Sequence, residues 1–130
     1  MIVNILNELY LDWFNNKDWW FSKNEKVDTY LSDKYIYYIN DIINIKQLIN
    51  RFKYNKNVLI SCVILLDQIS RHHKRVYDNN YNIIYYSKVA AKISDYILNI
   101  FNTNAFNIEE LCFLYLPYRH IYNIDNIYKI

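Results

Sequence analysis

The sequence has no glycine, a single proline and only two cysteines in 130 residues. Turn signals at the spacing of β-hairpins are missing, which argues against an all-β fold. The two cysteines form no CxxC pair, so the usual zinc-binding spacing is absent. Cys62 and Cys112 each lie inside an apolar run. We therefore predict that both are buried, reduced thiols in a protein of the cytoplasm or another reducing compartment.

The sequence also lacks a strong charge imbalance and a long apolar run. A net charge of +2 gives no overall electrostatic reason to expect nucleic-acid or membrane binding. No apolar run reaches the ~18 residues of a membrane helix, so we expect no membrane association. The first 14 residues contain Glu8 and Asp12 and no basic leader. They do not form a signal peptide, and we expect a protein that is not secreted.

The composition is otherwise that of a globular protein, with 53% hydrophobic and 22% charged residues. A chain of this length predicts a single α-helical domain over residues 1–130. Asn, Ile, Tyr and Lys are abundant. Because AT-rich codons specify these four residues, the composition indicates an AT-rich genome.

The most hydrophobic run covers residues 58–66 and contains one polar residue, Ser61. A segment that is apolar on all sides is normally buried on all sides. We predict a central buried helix at about residues 57–71, with Asn57 as its N-cap and a loop over residues 72–80. The polar residues that follow Leu66 make the end of this helix the natural place for a site.

Apolar residues at helical spacing predict further helices over residues 2–14, 24–43 and 79–101, and a brief one within 44–57. In the second helix, four polar residues are expected to face solvent: Asp28, Ser32, Asp33 and Lys34. Together with the C-terminal helix, these segments predict an all-α fold of about five antiparallel helices.

The C-terminal helix should begin at Asn107, because Glu110 follows at the spacing of a capping box. Pro117 should end or kink it. Its predicted buried side consists of Ile108, Leu111, Cys112, Tyr115 and Leu116.

Three large rings, Trp19, Trp20 and Phe21, follow each other in the linker after the first helix. Their side chains could be buried in the core or form an exposed aromatic surface for a partner. We favour burial in the core, because an exposed aromatic patch of this size is unusual on a monomer.

Polar residues cluster at the end of the central helix. Asp67 and Arg71 are four residues apart and can pair on one face, and Gln68 and Arg75 lie nearby. One interpretation is a pocket in which Arg71 and Arg75 bind a carboxylate or phosphate while Asp67 positions Arg71. The other is structural, because polar groups at the edge of a core need hydrogen bonds whatever their function.

Four motifs carry a family resemblance: LDWFN at 11–15, WWFSK at 19–23 with Asp28 downstream, ILLDQISRHHKR at 64–75, and FLYLPYRH at 113–120. In this order they resemble the mainly bacterial domain of unknown function number 924. The resemblance implies a tetratricopeptide-like helical array and candidate site positions, but no activity.

The sequence departs from the family pattern at several positions. Ser70 and His72 stand where the family has Pro and Asn. The family extends further at its C-terminus, with a motif like FGRFPHRN that has no counterpart in this sequence. If that motif contributes to a site, we expect the site here to be incomplete or supplied otherwise. Because the sequence is shorter than its relatives, we expect apolar surface to be covered by a partner or a second copy.

The site candidates form one set: Asp67, Gln68, Arg71, Arg75, Arg119 and His120. The favoured hypothesis is a binding or scaffold module with no cofactor and no metal, whose partner is a protein or a second copy, with a small anionic ligand in the polar pocket. One alternative is an enzyme in which Asp67 and His120 perform acid–base chemistry on a small anionic substrate. The less favoured alternative is RNA binding through the basic residues 71–75. His72 and His73 are adjacent and point to different helix faces, which argues against a shared metal.

Overall fold

The computed structural model describes residues 2–21 and 23–122, and the regular structure in these ranges is helical. The predicted all-α class is confirmed. The α-helices are α1 (Ile2–Asn15), α2 (Glu25–Tyr35), α3 (Ile45–Phe52), α4 (Lys56–Ile64), α5 (Ser70–Val76), α6 (Ile83–Ile100) and α7 (Ile108–Ile121). Three 3₁₀ segments (Lys17–Trp19, Ile36–Ile42 and Thr103–Ala105) lie between them.

A central rod joins α4, a π-helical segment (Leu65–Ile69) and α5 without a break. Every residue from Val58 to Ser70 is buried, as the apolar run predicts. The rod packs against α1, α2, α6 and α7 and is the axis of the fold. The predicted loop over residues 72–80 is wrong for residues 72–76, which are helical. His72 is buried there and packs edge-on against the Trp13 ring, which stabilises the extra turns.

The second predicted helix divides into two parts. Asn24 caps α2 by accepting hydrogen bonds from the backbone N–H groups of Lys26 and Val27. The α-helix ends at Tyr35 and continues as the 3₁₀ segment. The prediction that Asp28 and Ser32 face solvent is wrong, because both are buried against α5. They bond to the polar residues of α5, which compensates for their burial.

The capping box predicted for α7 is present, with reciprocal bonds between Asn107 and Glu110. The helix continues through Pro117 to Ile121, so the proline does not end it. Its buried residues are Glu110, Phe113, Leu114 and Pro117.

The buried side predicted for α7 is therefore wrong at three of its five positions. Ile108 is 83% exposed and Tyr115 is 56% exposed. Cys112 is also exposed, which corrects its assignment as a buried thiol, whereas Cys62 is buried as predicted. Because α7 has apolar residues on both faces, its sequence alone allowed either face to turn inward.

The linker aromatics are divided between core and surface. Trp19 and Trp20 are partly buried and pack against the core, and the Trp20 indole N–H donates to the Trp13 carbonyl at 2.9 Å. Phe21 is 69% exposed and has a left-handed backbone with φ of 59°. Its ring stacks over Phe113 with centroids 6.0 Å apart, so it covers one end of the core.

None of the helices in the described ranges is both long and apolar enough to cross a membrane.

The central position of the rod predicts a large cost for a cavity within it. We expect Leu65→Ala, at a fully buried position, to lower the free energy of unfolding by about 2–5 kcal/mol. The exposed Ile108→Ala is the matched control and should change it by no more than about 0.5 kcal/mol. Urea unfolding followed by circular dichroism measures both. Equal effects of the two variants would show that the rod is not the centre of the core.

Candidate functional site

The π-helical segment places Asp67 and Gln68 inside the fold. In a π turn the backbone bonds span five residues, and such turns often occur at functional sites. The Ser70 N–H reaches the Leu65 carbonyl in this way. The Ser70 hydroxyl donates to the Leu66 carbonyl at 2.6 Å. The hydroxyl also lies 3.3 Å from the Asp67 carbonyl, so this side chain bonds the backbone of the π segment.

Asp67 is the centre of a polar cluster drawn from three elements. Its carboxylate is 1% exposed. Oδ1 accepts a hydrogen bond from Ser87 of α6 at 2.7 Å and lies 2.9 Å from Nδ1 of His120 on α7. Oδ2 accepts from the Gln68 amide at 2.9 Å. A carboxylate oxygen accepts, so a hydrogen bond between these two atoms forms with the His120 tautomer that carries its proton on Nδ1.

Arg71 lies at the solvent edge of the Asp67 cluster, with 23% of its side chain exposed. Its Nη2 donates to Ser87 at 2.9 Å and is 3.9 Å from Asp67 Oδ1. The Nε–H is buried and has no hydrogen-bond partner among the described residues. Burial lowers the pKa of the Arg71 guanidinium and nearby Asp67 opposes that shift, but an arginine stays charged in proteins. The cluster therefore presents one cation whose hydrogen-bonding capacity is not fully used.

The structure brings four of the six predicted site residues together: Asp67, Gln68, Arg71 and His120. Arg75 belongs to a different cluster, where it bonds Asp28 through Nε at 3.0 Å and Nη2 at 2.7 Å. Arg119 is exposed on α7.

A second buried cluster, missed by sequence reasoning, is centred on Asp28. The carboxylate is 4% exposed and bonds both Arg75 and the Nδ1 of His72. Beside it, the Ser32 hydroxyl lies 2.7 Å from Nδ1 of His73. Only the position of Asp28 after the WWFSK motif could have indicated this cluster, since the apolar spacing of the second helix placed Asp28 on its solvent-exposed face.

The Asp28 cluster holds its groups in defined protonation states. Burial acts to raise the pKa of the Asp28 carboxyl, but hydrogen bonds from Arg75 and His72 outweigh it and hold the pKa below its usual value. Burial lowers the pKa of His72, and the bond to Asp28 only partly compensates. His72 is therefore neutral near pH 7 and donates its Nδ1 proton to Asp28.

The site offers little for a metal or a cysteine nucleophile. In the part of the chain that the structure describes, no three His, Cys, Asp or Glu residues are grouped to hold a metal ion. Burial raises the pKa of the Cys62 thiol far above neutral, so it remains protonated. The chemistry available around Asp67 is thus hydrogen bonding, charge pairing and proton transfer through His120.

Three of the four motifs that carry the family resemblance reach these clusters: Trp13 of LDWFN packs on His72, ILLDQISRHHKR holds Asp67, His72 and Arg75, and FLYLPYRH holds His120. A family model, described as bacterial protein of unknown function (DUF924), matches residues 10–129. The chain belongs to this family. The DUF924 match spans both the Asp28 and the Asp67 clusters. Neither a curated protein nor a solved structure matches the chain. DUF924 membership therefore assigns no activity to either cluster.

The Asp28 cluster predicts a loss of stability in acid. Unfolded histidine takes up a proton near pH 6.5, whereas folded His72 does so only at lower pH because its pKa is lowered. The unfolded state then binds more protons, so the free energy of unfolding falls as pH drops below about 6.5. Asp28 adds to the fall at lower pH, since its pKa is also below its unfolded value. Urea unfolding at several pH values measures this trend.

His73 should contribute in the same direction, because burial lowers its pKa as well. We expect His72→Asn and His73→Asn each to flatten the pH dependence between about pH 6.5 and 5, and the double variant to flatten it most. If the wild-type free energy of unfolding stays constant or rises as the pH is lowered from about 6.5 to 5, the lowered pKa values of His72 and His73 are contradicted.

Proposed function

We propose that this protein is a small helical binding module whose polar pocket at Asp67, Arg71 and His120 takes a small anionic ligand. The observation that carries the proposal is the buried Nε–H of Arg71, which has no partner among the described residues. An unsatisfied buried donor costs about 1–3 kcal/mol. A carboxylate or phosphate at the exposed side of the guanidinium would pair with its charge, and a shift of the side chain would bring the Nε–H to the ligand.

The hydrogen bonds around Asp67 support this role for Arg71. Three neighbours satisfy both oxygens of the carboxylate: Ser87, Gln68 and His120. Arg71 donates to Ser87 and stays 3.9 Å from Asp67, so the ion pair is loose. The guanidinium is held in place by the cluster and retains charge for a ligand.

The interaction part of the proposal is a protein partner or a second copy. It is supported by exposed residues along the outer face of α7, where Ile108, Cys112 and Tyr115 follow at spacings of four and three. This spacing keeps them on one side of the helix. The opposite side of α7 packs against α6 and α4.

Binding of small anions tests the pocket. We expect isothermal titration with succinate or inorganic phosphate to give saturable binding that Arg71→Gln weakens about tenfold or more, because charged hydrogen bonds are lost. Arg71→Lys keeps the positive charge but lacks the planar guanidinium group, so its affinity for the anion should lie between those of wild type and Arg71→Gln. Lys92→Gln on α6 removes the same charge elsewhere and should bind as wild type. Equal binding by the Arg71→Gln and Lys92→Gln variants, both folded by circular dichroism, would reject the pocket.

The second candidate function is an enzyme that acts on a small anionic substrate. It is favoured by the 2.9 Å contact between Asp67 and His120. A carboxylate that orients a histidine is a recurring arrangement in general acid–base catalysis, and Arg71 would hold the substrate's charge.

Hydrolysis of p-nitrophenyl phosphate or p-nitrophenyl acetate separates catalysis from binding alone. If the protein is an enzyme of this kind, His120→Gln and Asp67→Asn should each lower kcat about a hundredfold or more, while Lys92→Gln leaves it unchanged. Wild-type rates equal to buffer, or rates unaffected by His120→Gln, would leave the binding module as the function.

A further inference from the structure

A separate concave surface lies at the turn between α3 and α4, away from the Asp67 cluster in sequence. Residues 51–57 line a shallow cavity of about 600 Å³. The backbone of this turn is fixed by two hydrogen bonds. The Tyr96 hydroxyl donates to the Lys53 carbonyl at 2.7 Å, and the Asn55 N–H donates to the Phe52 carbonyl at 2.9 Å. The cavity is thus a defined feature of the fold.

The lining of this cavity is cationic. It contains Arg51, Lys53 and Lys56 and, within residues 2–21 and 23–122, no acidic side chain. Lys56 is engaged by the Ala105 carbonyl and by Glu110. Arg51 and Lys53 form no ion pair with any described residue, so their charges are uncompensated. A concave surface with two free cations attracts anions.

Aromatic rings accompany these cations. The Tyr54 ring is 73% exposed, with Lys53 Nζ 5.7 Å from its centroid. The Arg51 guanidinium lies 5.0 Å from the centre of the largely buried Phe52 ring. Exposed rings beside arginine and lysine can stack a planar ligand and bind its phosphate at the same time.

The concave surface extends beyond the turn. A second cavity of about 390 Å³ shares Arg51 and Phe52 with the first and continues along α3 past Gln47 and Leu48. Among the residues that the structure describes, Asp41 is the only acidic side chain in its lining. We call the surface of these two cavities, which share Arg51 and Phe52, the groove at the α3–α4 turn.

We propose that the groove at the α3–α4 turn binds a nucleotide, with Arg51 and Lys53 on the phosphate and Tyr54 stacked on the base. The same chemistry can come from a free mononucleotide or from single-stranded RNA. The basic run at 71–75 is less suited to this role, since Arg75 is paired with Asp28 and Arg71 bonds Ser87. The nucleotide site therefore lies in a segment whose lysines and arginine would, from the sequence, be read as a solvated face.

The test uses the full chain and fluorescence anisotropy of a labelled eight-residue oligouridylate, with uridine 5′-monophosphate and inorganic phosphate as competitors. We expect Arg51→Ala/Lys53→Ala to weaken oligouridylate binding about tenfold or more. Lys88→Ala/Lys92→Ala on α6 removes the same charge and should change it less than about twofold. Raising salt from 50 to 200 mM should weaken wild-type binding about sevenfold if two phosphates are neutralised.

Tyr54→Ala tests the stacking contact, with the exposed Tyr37→Ala as its matched control. Tyr54→Ala should weaken binding of oligouridylate and the mononucleotide about fivefold or more and leave phosphate competition unchanged. If the mononucleotide binds at least as tightly as the oligouridylate does per site, the ligand is a free nucleotide. If the oligouridylate binds more tightly, the ligand is RNA. The proposal is overturned if wild type binds neither, if only inorganic phosphate competes, or if the two double variants lose affinity equally.

Discussion

The structure depends on burying the carboxylate of Asp67 in the middle of its central rod. A buried charge is tolerated only when neighbouring donors replace the water it has lost. Here the donors come from the rod itself, from Ser87 on α6 and from His120 on α7. The requirement fixes how α6 and α7 sit against the rod, because a small rotation of either would leave the carboxylate unsatisfied. The polar cluster thus specifies one helix arrangement among several that apolar packing alone would allow.

A second buried carboxylate has the corresponding effect at the other side of the rod. Asp28 on α2 receives bonds from His72 and Arg75 on α5. His72 also contacts Trp13, so α1 and α2 meet on α5 through one imidazole. The Asp28 cluster explains why the helix continues through residues 72–76. His72 and Arg75 bond the buried Asp28, and His73 lies against the buried Ser32, which hydropathy does not reveal.

Apolar spacing was sufficient to predict the helical class, the apolar rod and the capping box at Asn107. It was insufficient wherever a polar residue is buried or an apolar residue is exposed. Helical spacing places Asp28 and Ser32 in solvent, but both are buried with partners on α5. It places Ile108 and Tyr115 in the core, but Phe113 and Leu114 are the residues of α7 that are buried there. The association of Asp67 with His120 followed from the family resemblance, because residues 53 positions apart give no local signal. The Arg51–Tyr54 surface could not be foreseen, since concavity is a property of the folded chain.

The π segment has a consequence for how the rod relates to its own sequence. A five-residue turn contains one residue more than an α turn, so everything after Ile69 is rotated by about 100° relative to a regular helix. The side chains before and after the π segment therefore point in directions that one regular α-helix would not combine. Val58 to Ile64 are buried in the core, and His72 and Arg75 bond Asp28. Loss of a single residue between 65 and 69 would give a regular α-helix whose second half keeps its present neighbours, whereas an α-helix of unchanged length would turn His72 and Arg75 by about 100° away from Asp28. The number of residues between 65 and 69, and not only their identity, thus determines which way the side chains of α5 point.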